Sequence, residues 1–368
     1  MEYNLAVPDQ CADHAMADLR LEMPLQADGP NPVPMMDLLR FQRCSGASVA
    51  VIDGGEVVWE RGWGTIEAGS AVAVTAATCF QCCSISKHVA AVGALHLVDA
   101  GRLDLDADVN RYLRGWRLPS DGATVTPRML LGHTAGLTYC WYRGFGRGEP
   151  LPTRRDVLEG RPPANTPPVR VVRDQVTFRY SGSHYTVLEQ LLVDVTGQPF
   201  PELMHQLVLE PLGMASSSYD QAFPETRPEA TARGHHADGT VVRGGWRVQP
   251  EMAGAGLWTT AGDLARLAVE IQRAHAGQGR LLSKAVLDQA LTPGPDEGWG
   301  LGMRLAGQGA QRRSGHGGSN IGFKGRTDAY LERGQGLAVL TNGDDGSRVI
   351  DIIGEAIARA YDWPGVVS

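Results

Sequence analysis

The stretch CFQCCSISKHVAAVGALHLVDAG, residues 79–101, sets a hydroxyl and an amine one helical turn apart at the head of a long apolar run. Val89, Val92, Leu95 and Val98 recur at helical spacing, Ala90, Ala91 and Ala94 favour helix, and Gly101 supplies the stop. The preceding Thr78–Cys83 segment carries no helical period and reads as an approach loop, so the helix begins at Ser84. Residues three apart share a helix face, and Ser84 Oγ and Lys87 Nζ can therefore share a proton. A serine is a weak nucleophile at neutral pH unless a base stands beside it. A lysine serves as that base only where burial or neighbouring charge favours its neutral form. The helix N-terminus adds free N–H groups and a positive dipole end, which favour a developing anion. The chain holds 16 serines but only three lysines (Lys87, Lys284, Lys324), so a chance S-x-x-K is uncommon. The competing reading is a solvated N-cap serine beside a surface lysine; two segments downstream weigh against it.

The first, FRYSGSHYTVLEQLLVDVTG (178–197), places Tyr180-Ser181-Gly182 at the head of another apolar run. The second, SGHGGSNIGFKG (314–325), places His316-Gly317-Gly318-Ser319 in an extended run whose glycines let a substrate backbone approach closely. Taken in order, the three segments resemble the S-x-x-K, Tyr-x-Asn and Lys/His-Thr/Gly-Gly elements of one family. It comprises the class C serine β-lactamases, the D-alanyl-D-alanine carboxypeptidases and their related esterases and D-aminopeptidases. Auxiliary segments are similar too: LDLDADVNRYL (103–113), LLGHTAGL (130–137), EPLGM (210–214), GAGLWTTAGDLARL (254–267) and GWGLGM (298–303). The resemblance runs from about residue 36 to the C-terminus.

The resemblance implies an α+β fold of the β-lactamase/transpeptidase type, an α/β sandwich plus a helical domain. Its antiparallel sheet is formed from N- and C-terminal segments and flanked by helices. It further implies Ser84 as nucleophile, Lys87 and Tyr180 as its proton-handling partners, and the N–H groups of Ser84 and Ser319 as an oxyanion hole. His316, Gly317, Gly318 and Gly182 are then substrate-binding positions. Gly182 departs from the family's Asn: it supplies no side-chain amide, so substrate-amide recognition and lysine orientation each lose a partner. The site thereby looks more like the esterase and aminopeptidase branch than a true β-lactamase. His316 stands where many members carry lysine. An imidazole titrates near about 6.5, which predicts a largely neutral group at pH 7 and a titration of activity near about pH 6–7. Lys324 or Arg326, on the following segment, would then supply the cation. The blander alternatives are a buried Tyr180 with a satisfied hydroxyl and a His316 that is merely a polar strand residue.

Composition bounds the rest. A chain of 368 residues, 43% hydrophobic, can bury one large core or two layers. A net charge of −7 and no basic cluster weigh against nucleic-acid or membrane partners. The opening MEYNLAVPDQCADHAMADLRLEMPLQ lacks a basic n-region and an apolar h-region, and no run of about 18 apolar residues spans a bilayer. The expectation is cytoplasmic small-molecule chemistry. Cys79, Cys82 and Cys83 resemble a C-x-x-C cluster, but no second ligand pair accompanies them, so packing is expected and no metal or other cofactor.

Periodicity predicts a leader over 1–35 and a catalytic unit over 36–368, with sheet segments at about 36–80 and 296–368 around a mostly helical 81–295. Within it, a helix is predicted over Met36–Cys44. Ser48–Ile52 and Val57–Arg61 form a hairpin about Asp53-Gly54-Gly55. Three strands between Arg312 and Thr341 are separated at Lys324-Gly325 and 333–336, and a closing helix spans Ser347–Tyr361. Pro162, Pro163, Pro167 and Pro168 are expected to wall the substrate cleft. The functional expectation is a serine acyl-enzyme catalyst that cleaves a small-molecule ester or amide and releases the acyl group to water. One alternative is a transacylase that passes the acyl group to an amine or alcohol in natural-product biosynthesis. Another is a non-catalytic binding relative, which the joint presence of Ser84, Lys87 and Tyr180 opposes.

Overall fold

The hairpin seen in the sequence forms as β1 (Gly46–Asp53) and β2 (Glu56–Gly64). It reverses at Gly54-Gly55, whose φ angles of +59° and +77° suit glycine. The computed structural model describes residues 21–24, 30–172 and 177–364, so residues 1–20 and 25–29 of the expected leader lie outside the described residues. Within the described part of that leader, Leu21–Pro24 pairs antiparallel with Pro30–Val33. Helix α1 (Met35–Phe41) stops three residues before the predicted end, and the chain turns through Arg43 at φ +48°.

Four later strands complete the main sheet: β3 (Arg304–Ala306), β4 (Arg313–Asn320), β5 (Phe323–Tyr330) and β6 (Gly336–Thr341). Their order is β2-β1-β6-β5-β4-β3, every pair antiparallel, so β1 docks on β6 nearly three hundred residues away in the chain. The break expected at Lys324-Gly325 does not occur. Those residues lie inside β5 opposite Ser319 and Gly318, and the reversal falls at Ile321-Gly322, where Gly322 adopts φ +81°. Strand β3, three residues long, gave no sequence signal.

Strand β1 is buried from Gly46 to Ile52, and apolar from Val49 to Ile52, because both of its faces are covered. Val49 and Val51 pack with Leu38 and Leu39 of α1 and with Val349, Ile353 and Ile357 of the closing helix, Gly346–Ala360. Ala50 and Ile52 face a larger core that includes Leu264 and Ala268 of the helix Ala261–His275. Burying each such Val or Ile contributes about 1.5–3 kcal/mol.

The helix that begins after Ser84 is α2 (Ile85–Asp99). It is buried around nearly its whole circumference, touching β4, β5, the short helix Met252–Ala255 and helix α3 (Gly182–Thr196). A helix apolar on all sides belongs in the centre of a core, and this one carries the nucleophile candidate to the junction of sheet and helical region. Ahead of it, Phe80–Gln81 is a two-residue strand paired with Trp258–Thr259 rather than a free loop. Cys79, Cys82 and Cys83 are fully buried, and burial pushes the thiols of Cys79 and Cys83 up to about 11 and 12, so they act as packing groups.

Candidate active site

Cys83 adopts φ +57°, an uncommon conformation for a non-glycine residue, and this sharp turn delivers Ser84 to the start of α2. The turn is held from several sides. Cys83 Sγ donates to Phe323 O (3.5 Å), Ser86 Oγ donates to Cys83 O (2.6 Å), and Tyr219 Oη donates to Ser86 O (2.7 Å). Ile85, Ser86 and Lys87 N–H donate to the carbonyls of Cys82, Cys83 and Ser84. The Ser84 side chain makes no capping bond to its own helix and stays available to the cleft.

Lys87 is 2% exposed, and its Nζ lies 3.1 Å from Ser84 Oγ and 2.7 Å from Gly254 O. Three aromatic rings surround this amine at 5.2–5.7 Å: Tyr180, Tyr142 and Tyr185. Such a cage of rings fixes the side chain in place. Tyr180 is partly exposed, sits just before the α3 N-cap Ser181, and packs against His133 with the rings tilted by 43° at a centroid distance of 4.5 Å.

His133 is a site neighbour that the sequence reading left within an auxiliary segment. Its Nδ1 accepts from Ser181 N–H (3.4 Å), which leaves the proton on Nε2 and the ring neutral. Burial, then the nearby His184 and Lys87, holds its pKa well below the usual imidazole value.

On the far wall, β4 is paired along its outer edge by β3 only from Arg313 to Gly315. The backbone of Gly317 to Ser319 therefore borders the cleft beside Ser84. Gly318 is required there for space: a Cβ would lie 2.4 Å from Cys82 O and 2.9 Å from Cys83 Cβ. His316 is buried, with Nδ1 2.5 Å from Gly317 O and no partner for Nε2. Burial, followed by Lys87 and His88, drives its pKa well below 6.5. The neutral imidazole expected at pH 7 agrees with this, but the expected titration near pH 6–7 does not: desolvation of the charged form outweighs any local carbonyl.

Of the two cations expected to compensate, one reaches the cleft. Lys324 turns away to Asp344 (3.4 Å), whereas Arg326 does line the cleft while pairing with Asp328 (2.5 Å) and Asp351 (3.4 Å). Arg304, from the unforeseen β3, joins it and lies 3.5 Å from Asp328.

Two lobes meet at Ser84. A narrow one of about 10 Å³ is bounded by Lys87, Tyr142, Tyr180, Gly182, Ser319 and Asn320, among others. An open one of about 460 Å³ is bounded by Tyr180, Trp299, Arg304, His316, Arg326 and Asp351, among others, and Trp141 borders both. Ser84, Lys87, Tyr180, Gly182, His316, Gly317, Gly318 and Ser319 thus all reach one cleft. The wall expected from Pro162–Pro168 is instead the Cys140–Tyr142 segment, for which the sequence carried no periodic or motif signal. Among the described residues no group of three His, Cys, Asp or Glu is placed to hold a metal ion. No helix among them is long and apolar enough to cross a membrane.

The arrangement is that of a serine hydrolase: a hydroxyl at a helix N-terminus, a buried amine one turn on, and a glycine strand edge opposite. Comparison with known proteins gives the same class. A model of the beta-lactamase family matches residues 14–360. Esterase EstB of Burkholderia gladioli is 30% identical over 303 residues, 73% of this chain and 76% of its own. PbpX of Bacillus subtilis (strain 168) is 24% identical over 259 residues, and the match spans 70% of this chain but 61% of PbpX. The D-amino acid amidase of Ochrobactrum anthropi SV3, solved with L-phenylalanine, shares the fold at a TM-score of 0.71 and 19% identity, covering 88% of this chain and 96% of its own. The chain belongs to the beta-lactamase family of serine enzymes.

Proposed function

We propose that this protein is a serine acyl-enzyme catalyst that cleaves an ester or amide of a small molecule. The observation that carries the reading is the 3.1 Å contact between Ser84 Oγ and a Lys87 amine buried among three tyrosine rings. In this reading Ser84 Oγ attacks the acyl carbonyl and its proton passes to the Lys87–Tyr180 pair, which enters the cycle with one proton fewer than an ammonium plus a phenol. The oxyanion that forms is held by the N–H groups of Ser84 and Ser319, each donor of this kind being worth about 10²–10³ in rate. The leaving alcohol or amine takes the proton as the tetrahedral species collapses. Water then attacks the acyl-serine, gives its proton to the same pair, and frees the acid while Ser84 recovers its proton.

A second reading, acyl transfer to an amine or alcohol, is favoured by the open lobe. Trp141, Tyr180 and Trp299 offer it aromatic walls on which an acceptor larger than water can seat. Whether water or an acceptor prevails is decided by how the occupied lobe excludes water. All five described cysteines are free thiols, which suits a reducing compartment such as the cytoplasm.

The test is turnover of activated esters by the wild type and by Ser84→Ala, with and without simple amines. Loss of turnover in Ser84→Ala supports the reading, and amide product formed in preference to acid selects the transferase form. Turnover retained by Ser84→Ala ends it.

A further inference from the structure

The narrow lobe is shaped by one side chain that no motif marks. Tyr142 is buried, and its ring lies between two glycines. A Cβ on Gly182 would come within 2.5 Å of Tyr142 Cζ, and a Cβ on Gly254 within 2.1 Å of its Cε2. Real side chains do not approach so closely, so the ring fits only because positions 182 and 254 lack them. The phenol is tied down at its far end as well. It donates to the Gly182 carbonyl and lies 2.8 Å from Thr186 Oγ1, both at the start of α3. Its ring face is 5.4 Å from Lys87 Nζ, whose other anchor is the carbonyl of that same Gly254.

Tyr142, Gly182 and Gly254 are therefore one fitted unit. It stands where the missing amide at position 182 would have projected, and it leaves about 10 Å³ beside Ser84, about the room of one water.

The chemistry assigns the two lobes. During an acyl-enzyme cycle the leaving group departs and the second nucleophile arrives while the acyl group stays bound to Ser84. Exchange needs the wide lobe that opens to solvent, and the retained acyl group takes the narrow one. We infer that Tyr142 is a specificity-determining and positioning residue: it closes the acyl side of the cleft, so the acyl donor carries a compact acyl group with no amide beside the scissile carbonyl, and its ring holds Lys87 against Ser84. This rests on the acyl-enzyme reading given above. The donor class it names is a short-chain acyl ester or thioester whose bulk lies in the leaving group, against Trp141 and Trp299.

The experiment is a chain-length series of p-nitrophenyl esters, acetyl through hexanoyl, on the wild type, Tyr142→Phe and Tyr142→Ala, with the Ser84 adduct followed by intact mass in parallel. In the wild type kcat/KM should fall at least about tenfold from acetyl to hexanoyl, within the range by which a pocket penalises surplus methylenes. Tyr142→Phe, which keeps the ring, should keep that ranking. Tyr142→Ala should level or reverse it by about tenfold, chiefly through KM for the long esters, while its kcat for acetyl ester drops as Lys87 loses a ring wall. A wild type that accepts hexanoyl as readily as acetyl overturns the inference even if Tyr142→Ala does not fold. So does an unchanged ranking in a folded Tyr142→Ala. Absence of a Ser84 adduct from every ester instead overturns the acyl-enzyme reading, and this inference with it.

Discussion

Replacing Lys87 by methionine separates what this side chain does in the reaction from what it does for the fold. Methionine follows much of the same path through the core and removes only the amine. On the stability side, the variant leaves the buried Gly254 carbonyl without its donor, at a cost of about 1–3 kcal/mol. It also forfeits the amine's contacts with the rings of Tyr142, Tyr180 and Tyr185, which are individually small. Against these stands release from burying a polar head group at 2% exposure, itself a costly burial. The opposing terms nearly cancel, so net stability should change by no more than about 2 kcal/mol, a melting shift of a few degrees. The rate has no such compensation. Removing the amine that, among the described residues, lies within reach of Ser84 Oγ should lower kcat by about 10²–10⁴. The assay pairs steady-state hydrolysis of an activated acetyl ester with calorimetric melting of both proteins. Turnover within a factor of about ten of the wild type, in a protein that melts normally, would refute the role given to Lys87.

Three further outcomes follow from the same geometry. Gly318→Ala drives a Cβ into Cys82 O and Cys83 Cβ, so strand β4 must move off the nucleophile turn, and kcat/KM should fall by about 10² or more; near-normal activity would show that the strand edge need not lie so close. Because His316 is held neutral by burial, the scaled pH–rate profile of His316→Gln should superpose on that of the wild type between pH 6 and 8, and a displaced midpoint would contradict this. The third outcome concerns stability against pH. His88, His133, His184, His235 and His316 all have pKa values depressed below 6.5, so below that pH the unfolded chain binds protons the fold refuses, and stability drains away on acidification. Glu189 and Glu251, raised by burial to about 7, and Asp263, also raised, act in the opposite sense and withdraw stability as pH climbs through their folded values. Five groups outweigh three, so the melting temperature should peak near pH 6.5–7 and fall toward pH 4.5; a rise on acidification to pH 5 would contradict the assignment.

What the sequence revealed, and what it concealed, divides along physical lines. Local signals survived folding: the Gly54-Gly55 turn, the period of α2, and the S-x-x-K spacing that puts an amine within reach of Ser84. Helix α2 was legible as a helix although it has no polar face, because its alanines and leucines favour helix whichever side is buried. The misplaced break at Lys324-Gly325 came from treating a glycine as punctuation; inside β5 it is there so that Leu340 and Ile85 can pack against the strand. Long-range partners left no trace in local pattern. Tyr142 and Arg304 reach the cleft, and the Gly254 carbonyl and His133 support Lys87 and Tyr180 from behind, all from segments scattered along the chain, and none is periodic. Only Gly182 hinted at one of them, by lacking a side chain where Tyr142 needed room. The fate of Lys324 was equally hidden, since its pairing with Asp344 is decided by how β5 meets the turn before the last helix.

The most direct test of the central claim is intact-protein mass spectrometry after brief mixing with an activated acetyl ester, on the wild type and Ser84→Ala together. The expected result is a single acyl mass added to the wild type, mapped to Ser84 and lost with time, and no addition to the variant. An adduct on both proteins, or turnover with no adduct at Ser84 under any quench, would contradict it.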